Sequence, residues 1–103
     1  MTQADATMVR VYLSEGDHKL EPLLKCLHDE LRVRGVTVTR GVTGFGRSGH
    51  VHTVGLIDLS LDLPLVVEFF EEPHKVEQAL RRLGDFVEPG HVVTWPVRVE
   101  MGG

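Results

Sequence analysis

The spacing of apolar residues along this chain switches between the period of a strand and the period of a helix, and that succession limits the fold more than any single motif. Val9, Val11 and Leu13 alternate with Met8, Arg10 and Tyr12, the period-two pattern of a strand, which Glu15-Gly16-Asp17 breaks. From Leu20 the spacing turns helical: Leu20, Leu23, Leu24, Leu27 and Leu31 form one stripe. Pro22 suits the first turn, where its missing N–H costs nothing, and Gly35 is expected at the left-handed position that ends the helix. Val36 to Val42 alternates again. Leu65 to Phe70 is apolar on both sides apart from Glu68, which predicts a central strand. Pro73 opens a second helix with Val76, Ala79, Leu80 and Leu83 as its buried stripe. Val92 to Val99 reads as a last strand, with Val93, Trp95, Val97 and Val99 expected toward the helices. Pro96 cannot donate to a ladder, so that strand belongs at an edge.

Strand, helix, strand, long loop, strand, helix, strand predicts an α+β fold. Two helices lie on one face of an antiparallel sheet, the ferredoxin-like split βαβ arrangement. At 103 residues there is room for one domain, assigned to residues 8–100 after a disordered tail at 1–7. Eleven Lys and Arg against 15 Asp and Glu leave a net charge of −4, which argues against a general nucleic-acid binder. A single cysteine, Cys26, excludes a disulfide framework and reads as a buried filler beside the first helical stripe. With no apolar run of membrane length and no signal-peptide pattern, the expected location is the cytoplasm.

Two helices cover only one face of such a sheet. The other is expected to carry Met8, Arg10, Tyr12, Val66, Glu68, Phe70, Val92, Thr94 and Arg98, an apolar surface rarely left to solvent. A symmetric homo-oligomer follows, with Arg10, Glu68 and Arg98 as a charge cluster within its interface.

The long loop, from about residue 44 to 63, holds the remaining chemistry. It opens Gly44-Phe45-Gly46-Arg47-Ser48-Gly49-His50-Val51. Its glycine spacing matches dinucleotide-binding and kinase loops. The extended stretch that follows, and the shortness of the chain, rule both out. Glycines still let backbone amides turn toward an anion, and the arginine fork suits phosphate, so Arg40 and Arg47 with Gly44 and Gly46 form a candidate anion cradle. His50 and His52, two apart, offer a metal alternative completed by symmetry-related ligands, and a third reading is an oligomeric interaction module whose loop binds a partner without any ligand. Ser48 lacks a third member for a catalytic triad, so no catalytic residue is assigned and the chain is not expected to be an enzyme.

Arg40-Gly41-Val42-Thr43-Gly44-Phe45-Gly46, with His52-Thr53 after it, resembles the PII-like proteins grouped as domain of unknown function 190. The likeness runs from Val9 to Val99 and includes Val9 to Leu13, Pro22-Leu23, Asp62-Leu63-Pro64 and Val66-Val67-Glu68. It implies a homotrimer related to PII signal proteins and to CutA. It also implies an adenine nucleotide as effector rather than as a required cofactor, and a long loop that docks onto a membrane transporter or enzyme. By resemblance the nucleotide site is formed between subunits. It draws on Arg40, Gly41, Gly44, Phe45, Gly46 and Arg47 at the loop, Gly90 and His91 before the last strand, and Arg98 near the C-terminus. Glu88-Pro89-Gly90-His91 lacks the lysine of the PII phosphate turn, which points away from triphosphate binding of the usual kind. The only tyrosine, Tyr12, lies in the first strand, so the loop has none to be uridylylated.

Overall fold

The computed structural model describes residues 2–45, 51–53 and 62–102. Six strands and two helices run in the order β1 (Thr2–Ser14), α1 (Leu20–Lys25), β2 (Thr37–Arg40), β3 (Thr43–Phe45), β4 (Val51–Thr53), β5 (Pro64–Glu71), α2 (Pro73–Leu83) and β6 (Val92–Gly102). Four of them make one sheet in the order β2-β5-β1-β6, every pair antiparallel, and β3 pairs with β4 as a separate ribbon. This is the α+β, ferredoxin-like architecture that the hydrophobic periods predict. β5 is central and β6, with Pro96, is an edge strand.

The core lies between the helices and one face of the sheet. Leu23 and Leu27 from the first helix, Val76, Ala79 and Leu83 from α2, and Val9, Val11, Leu65, Val67 and Phe69 from the central strands are all buried. Leu20, Leu24 and Leu31 pack around them half-buried, so the first stripe holds along its length. Leu80 departs from the expected second stripe and is exposed. Pro73 stands in the first turn of α2, where proline fits.

Three expectations are corrected. The first strand begins at Thr2, six residues before Met8: Gln3 to Thr7 pair with Glu100 to Pro96 on β6. Those before Thr7 pair with β6 alone, in a ribbon that runs on past the end of β5, whose pairing with β1 stops at Thr7 and Glu71. The first helix ends without Gly35. After Lys25 it widens into a π-helical turn over Cys26–Glu30, with the Leu31 N–H on the Cys26 carbonyl at 3.0 Å. Arg32, at φ +52°, takes the left-handed position.

The face assignment of β6 is also reversed. Val92 and Thr94 pair with Val11 and Val9, on the helix side, whereas Val93 and Trp95 pair with Arg10 and Met8 on the open side. Arg98 pairs with Asp5, on the face opposite to Arg10. The open-face pair is therefore Arg10 and Glu68, without Arg98; they lie 2.5 Å apart, with the Arg10 guanidinium 5.0 Å from the centre of the Trp95 ring.

The connection between the first helix and β2 is held by the one buried charged side chain among the described residues. Glu71 accepts the Arg34 backbone N–H at 2.7 Å and lies 3.6 Å from both the Lys75 ammonium and the Arg34 guanidinium. Lys75 in turn donates to the Arg32 carbonyl at 2.6 Å. Among the described residues no helix is long and apolar enough to cross a membrane.

Candidate functional site

Both ends of the long loop meet at one end of the sheet. Its incoming end is Arg40-Gly41 and the β3–β4 ribbon; its outgoing end is Asp62-Leu63-Pro64. The Gly41 N–H donates to the Pro64 carbonyl at 2.7 Å. A Cβ on Gly41 would come within 2.7 Å of Pro64 Cγ, and one on Gly44 within 3.2 Å of the same atom. The two glycines thus permit a backbone approach that a side chain would block. With Gly44 turned to Pro64, its neighbours Thr43 and Phe45 lie on the other face of the ribbon, and Phe45 is 75% exposed.

The turn after β1 fastens this base from the other side. The Glu15 N–H donates to the Leu63 carbonyl at 2.9 Å, and the Gly16 N–H to Asp62 Oδ1 at 2.6 Å. The Glu15 side chain reaches past β5 to Arg40, which donates from Nε to Oε1 at 2.7 Å and from Nη2 to Oε2 at 2.6 Å. Those hydrogen bonds hold the Glu15 carboxyl below the usual carboxylate range and raise Arg40 further above neutrality. Sequence reasoning treated Glu15-Gly16-Asp17 as a strand breaker only. The pairing was hidden because Glu15 follows β1 and Arg40 ends β2, two strands that are not adjacent in the sheet.

At the other edge of the same sheet end, the His91 carbonyl accepts the Tyr12 N–H at 2.9 Å, and Gly90 turns with φ +92°. Arg40 on β2 and His91 before β6 are therefore separated by β5 and β1, about 14 Å at the usual strand spacing. Within one chain they do not meet. Arg98 sits further still, six residues along β6 from Val92, or about 20 Å at the strand rise. Gly46, Arg47 and His50 lie outside the described residues. His52 is placed by its backbone, opposite Gly44 in the ribbon. Cys26 is buried, as expected of a filler, and burial pushes its thiol up, away from the reactive thiolate.

A family model, DUF190, described as Uncharacterized ACR, matches residues 6–99. A UPF0166 protein of Aquifex aeolicus (strain VF5) is 31% identical over 80 residues, which span 74% of this chain and 76% of that protein. The structure of CPII bound to ADP and bicarbonate, from Thiomonas intermedia K12, superposes with a TM-score of 0.69 at 22% identity, covering 99% of this chain and 93% of CPII. CutA1 from Oryza sativa shares the fold at a TM-score of 0.61 and 11% identity, covering 100% and 87% of the two chains.

Proposed function

The chain belongs to the DUF190 family, and from that premise we propose that it is a PII-like regulator whose effector is an adenine nucleotide bound between subunits of a homotrimer. One observation carries the reading: the sheet end gathers a guanidinium, two closely packed glycines and the mouth of the long loop at β2, and places Gly90 and His91 at the opposite edge. A site that needs both edges is completed by a neighbouring copy of the chain, as closed symmetry allows. ADP and bicarbonate bound to CPII, which has the same fold, support an anionic nucleotide as the ligand class.

In this reading Arg40 and Arg47 pair with phosphate, Gly41, Gly44 and Gly46 bring backbone amides toward it, and Phe45, Gly90, His91 and Arg98 complete the cleft. The long loop then offers a nucleotide-dependent surface to a transporter or enzyme. The test is thermal unfolding against AMP, ADP, ATP, cyclic nucleotides and bicarbonate. A ligand at 100 times its Kd adds about 2.7 kcal/mol to the native state, a shift of several degrees for a domain of this size. An adenine nucleotide should raise the Tm of the parent and leave that of the Arg40→Ala, Arg47→Ala variant unmoved. No response to any nucleotide, or an equal response in the variant, discards the reading.

A further inference from the structure

The Arg40–Glu15 pair joins two segments with a whole strand between them, and it does so side-on, through both carboxylate oxygens. That fork is also the way an arginine takes a phosphate. The pair is open to incoming ligands: the Arg40 side chain is 51% exposed and that of Glu15 23%. Glu15 is not a drifting surface residue, because its own N–H and that of Gly16 tie the turn to Leu63 and Asp62. The carboxylate is therefore presented to Arg40 at high effective concentration.

Resting on the nucleotide reading above, we infer that Glu15 is a built-in competitor for the anion position on Arg40 and sets the threshold that a ligand must clear. A tethered competitor lowers the affinity of every anion by the same factor, since only the fraction of molecules with Arg40 released can bind. A free monocarboxylate offers Arg40 what Glu15 already offers and falls below the threshold. A phosphoryl group brings up to two negative charges and three acceptor oxygens, and displaces it. Glu15 is in this sense a threshold residue: it leaves the ratio of affinities unchanged and keeps weakly binding, singly charged acids below occupancy at a site that phosphate still fills.

The experiment is calorimetric titration of the full chain with ADP, inorganic pyrophosphate and acetate. It compares the parent, Glu15→Gln, Arg40→Ala and the double variant, with thermal unfolding to confirm that each is folded. Glu15→Gln should tighten all three probes by a common factor of about fivefold, the scale of a partly exposed ion pair. The gain should vanish when Arg40 is also replaced. Unchanged or weaker binding in Glu15→Gln overturns the inference, because a carboxylate that merely positions Arg40 weakens binding when lost. Tighter pyrophosphate with no ADP binding to any of the proteins discards the nucleotide reading and keeps the competitor. No binding of any probe to any protein overturns both. Should Glu15→Gln fail to fold, Glu15→Asp, one carbon shorter, is expected to shift affinity in the same direction.

Discussion

At the scale of single residues, two glycines that look alike in the sequence behave oppositely. Gly35 has open space where a Cβ would stand and no positive φ, so Gly35→Ala should leave stability unchanged or raise it by about 0.4–1 kcal/mol through the unfolded chain. Gly41 has Pro64 Cγ at 2.7 Å, and a proline ring cannot swing aside. Gly41→Ala should cost about 1–3 kcal/mol as overpacking, read in chemical denaturation of the two variants side by side. Equal midpoints would show that the loop base is looser than described. A second prediction concerns Glu15. Its carboxyl is depressed below the ordinary range first of all by the Arg40 hydrogen bonds. A depressed carboxylate stabilises the folded state above its unfolded pKa, and that contribution is lost as pH falls through the lower, folded value. The Glu15 carboxyl carbon, followed by NMR, should titrate below a free glutamate and return to the ordinary range in Arg40→Ala.

Among the elements, the helices and the strand order were legible because their signals are local. Leucines at helical spacing, proline at a first turn and proline on an edge strand each have a single mechanical reading. What was not legible is phase. In β6 the bulkier set, Val93, Trp95, Val97 and Val99, looks like the core set, but the open face of this sheet also takes large apolar side chains, among them Met8, Tyr12, Val66 and Phe70. Alternation then cannot say which side is inward. Pairing with β1 decides it, by setting Val92 beside Val11 and Trp95 beside Met8. The end of the first helix was missed for a related reason, since its lock is a distant side chain. Glu71 on β5 holds Arg34, and Lys75 holds the Arg32 carbonyl, so the chain turns without glycine. Glu71→Ala should take the acceptor from the part-buried Arg34 N–H and the carboxylate from Arg34 and Lys75, at a cost of about 1–3 kcal/mol. Urea unfolding measures it, and a loss below 1 kcal/mol would assign the lock to packing instead. The candidate site was legible only in part. Arg40, Gly41 and Gly44 lie at the loop base, but the groups that hold them, Glu15 on Arg40 and Pro64 against both glycines, come from segments distant in the sequence.

For the molecule as a whole, the decisive feature is a sheet that, among the described residues, is covered on one side. On the open side Tyr12 and Val93 are 42% and 45% exposed, flanking an Arg10–Glu68 pair that stacks on Trp95. Clustered exposed aromatic and aliphatic side chains with an arginine among them are the composition of an interface rather than of a solvated face. Replacing Tyr12 and Val93 together by glutamate should be tolerated by a lone chain, where both are part exposed. In an assembly the same change would bury unpaired charge, at a cost of several kcal/mol. Light scattering should then give about three times the 11.5 kDa chain mass for the parent and one chain mass for the variant. Leu80→Glu, on α2 and 38% exposed, serves as the control and should remain assembled. The same variant bears on the site. Because Arg40 and His91 lie on opposite edges of one sheet, a dissociated chain keeps Arg40, Gly41 and Gly44 in place yet should lose nucleotide binding. Dissociated chains that bind ADP as tightly as the parent would confine the site to the loop base of a single chain, and an intact assembly in the variant would move the interface to another surface.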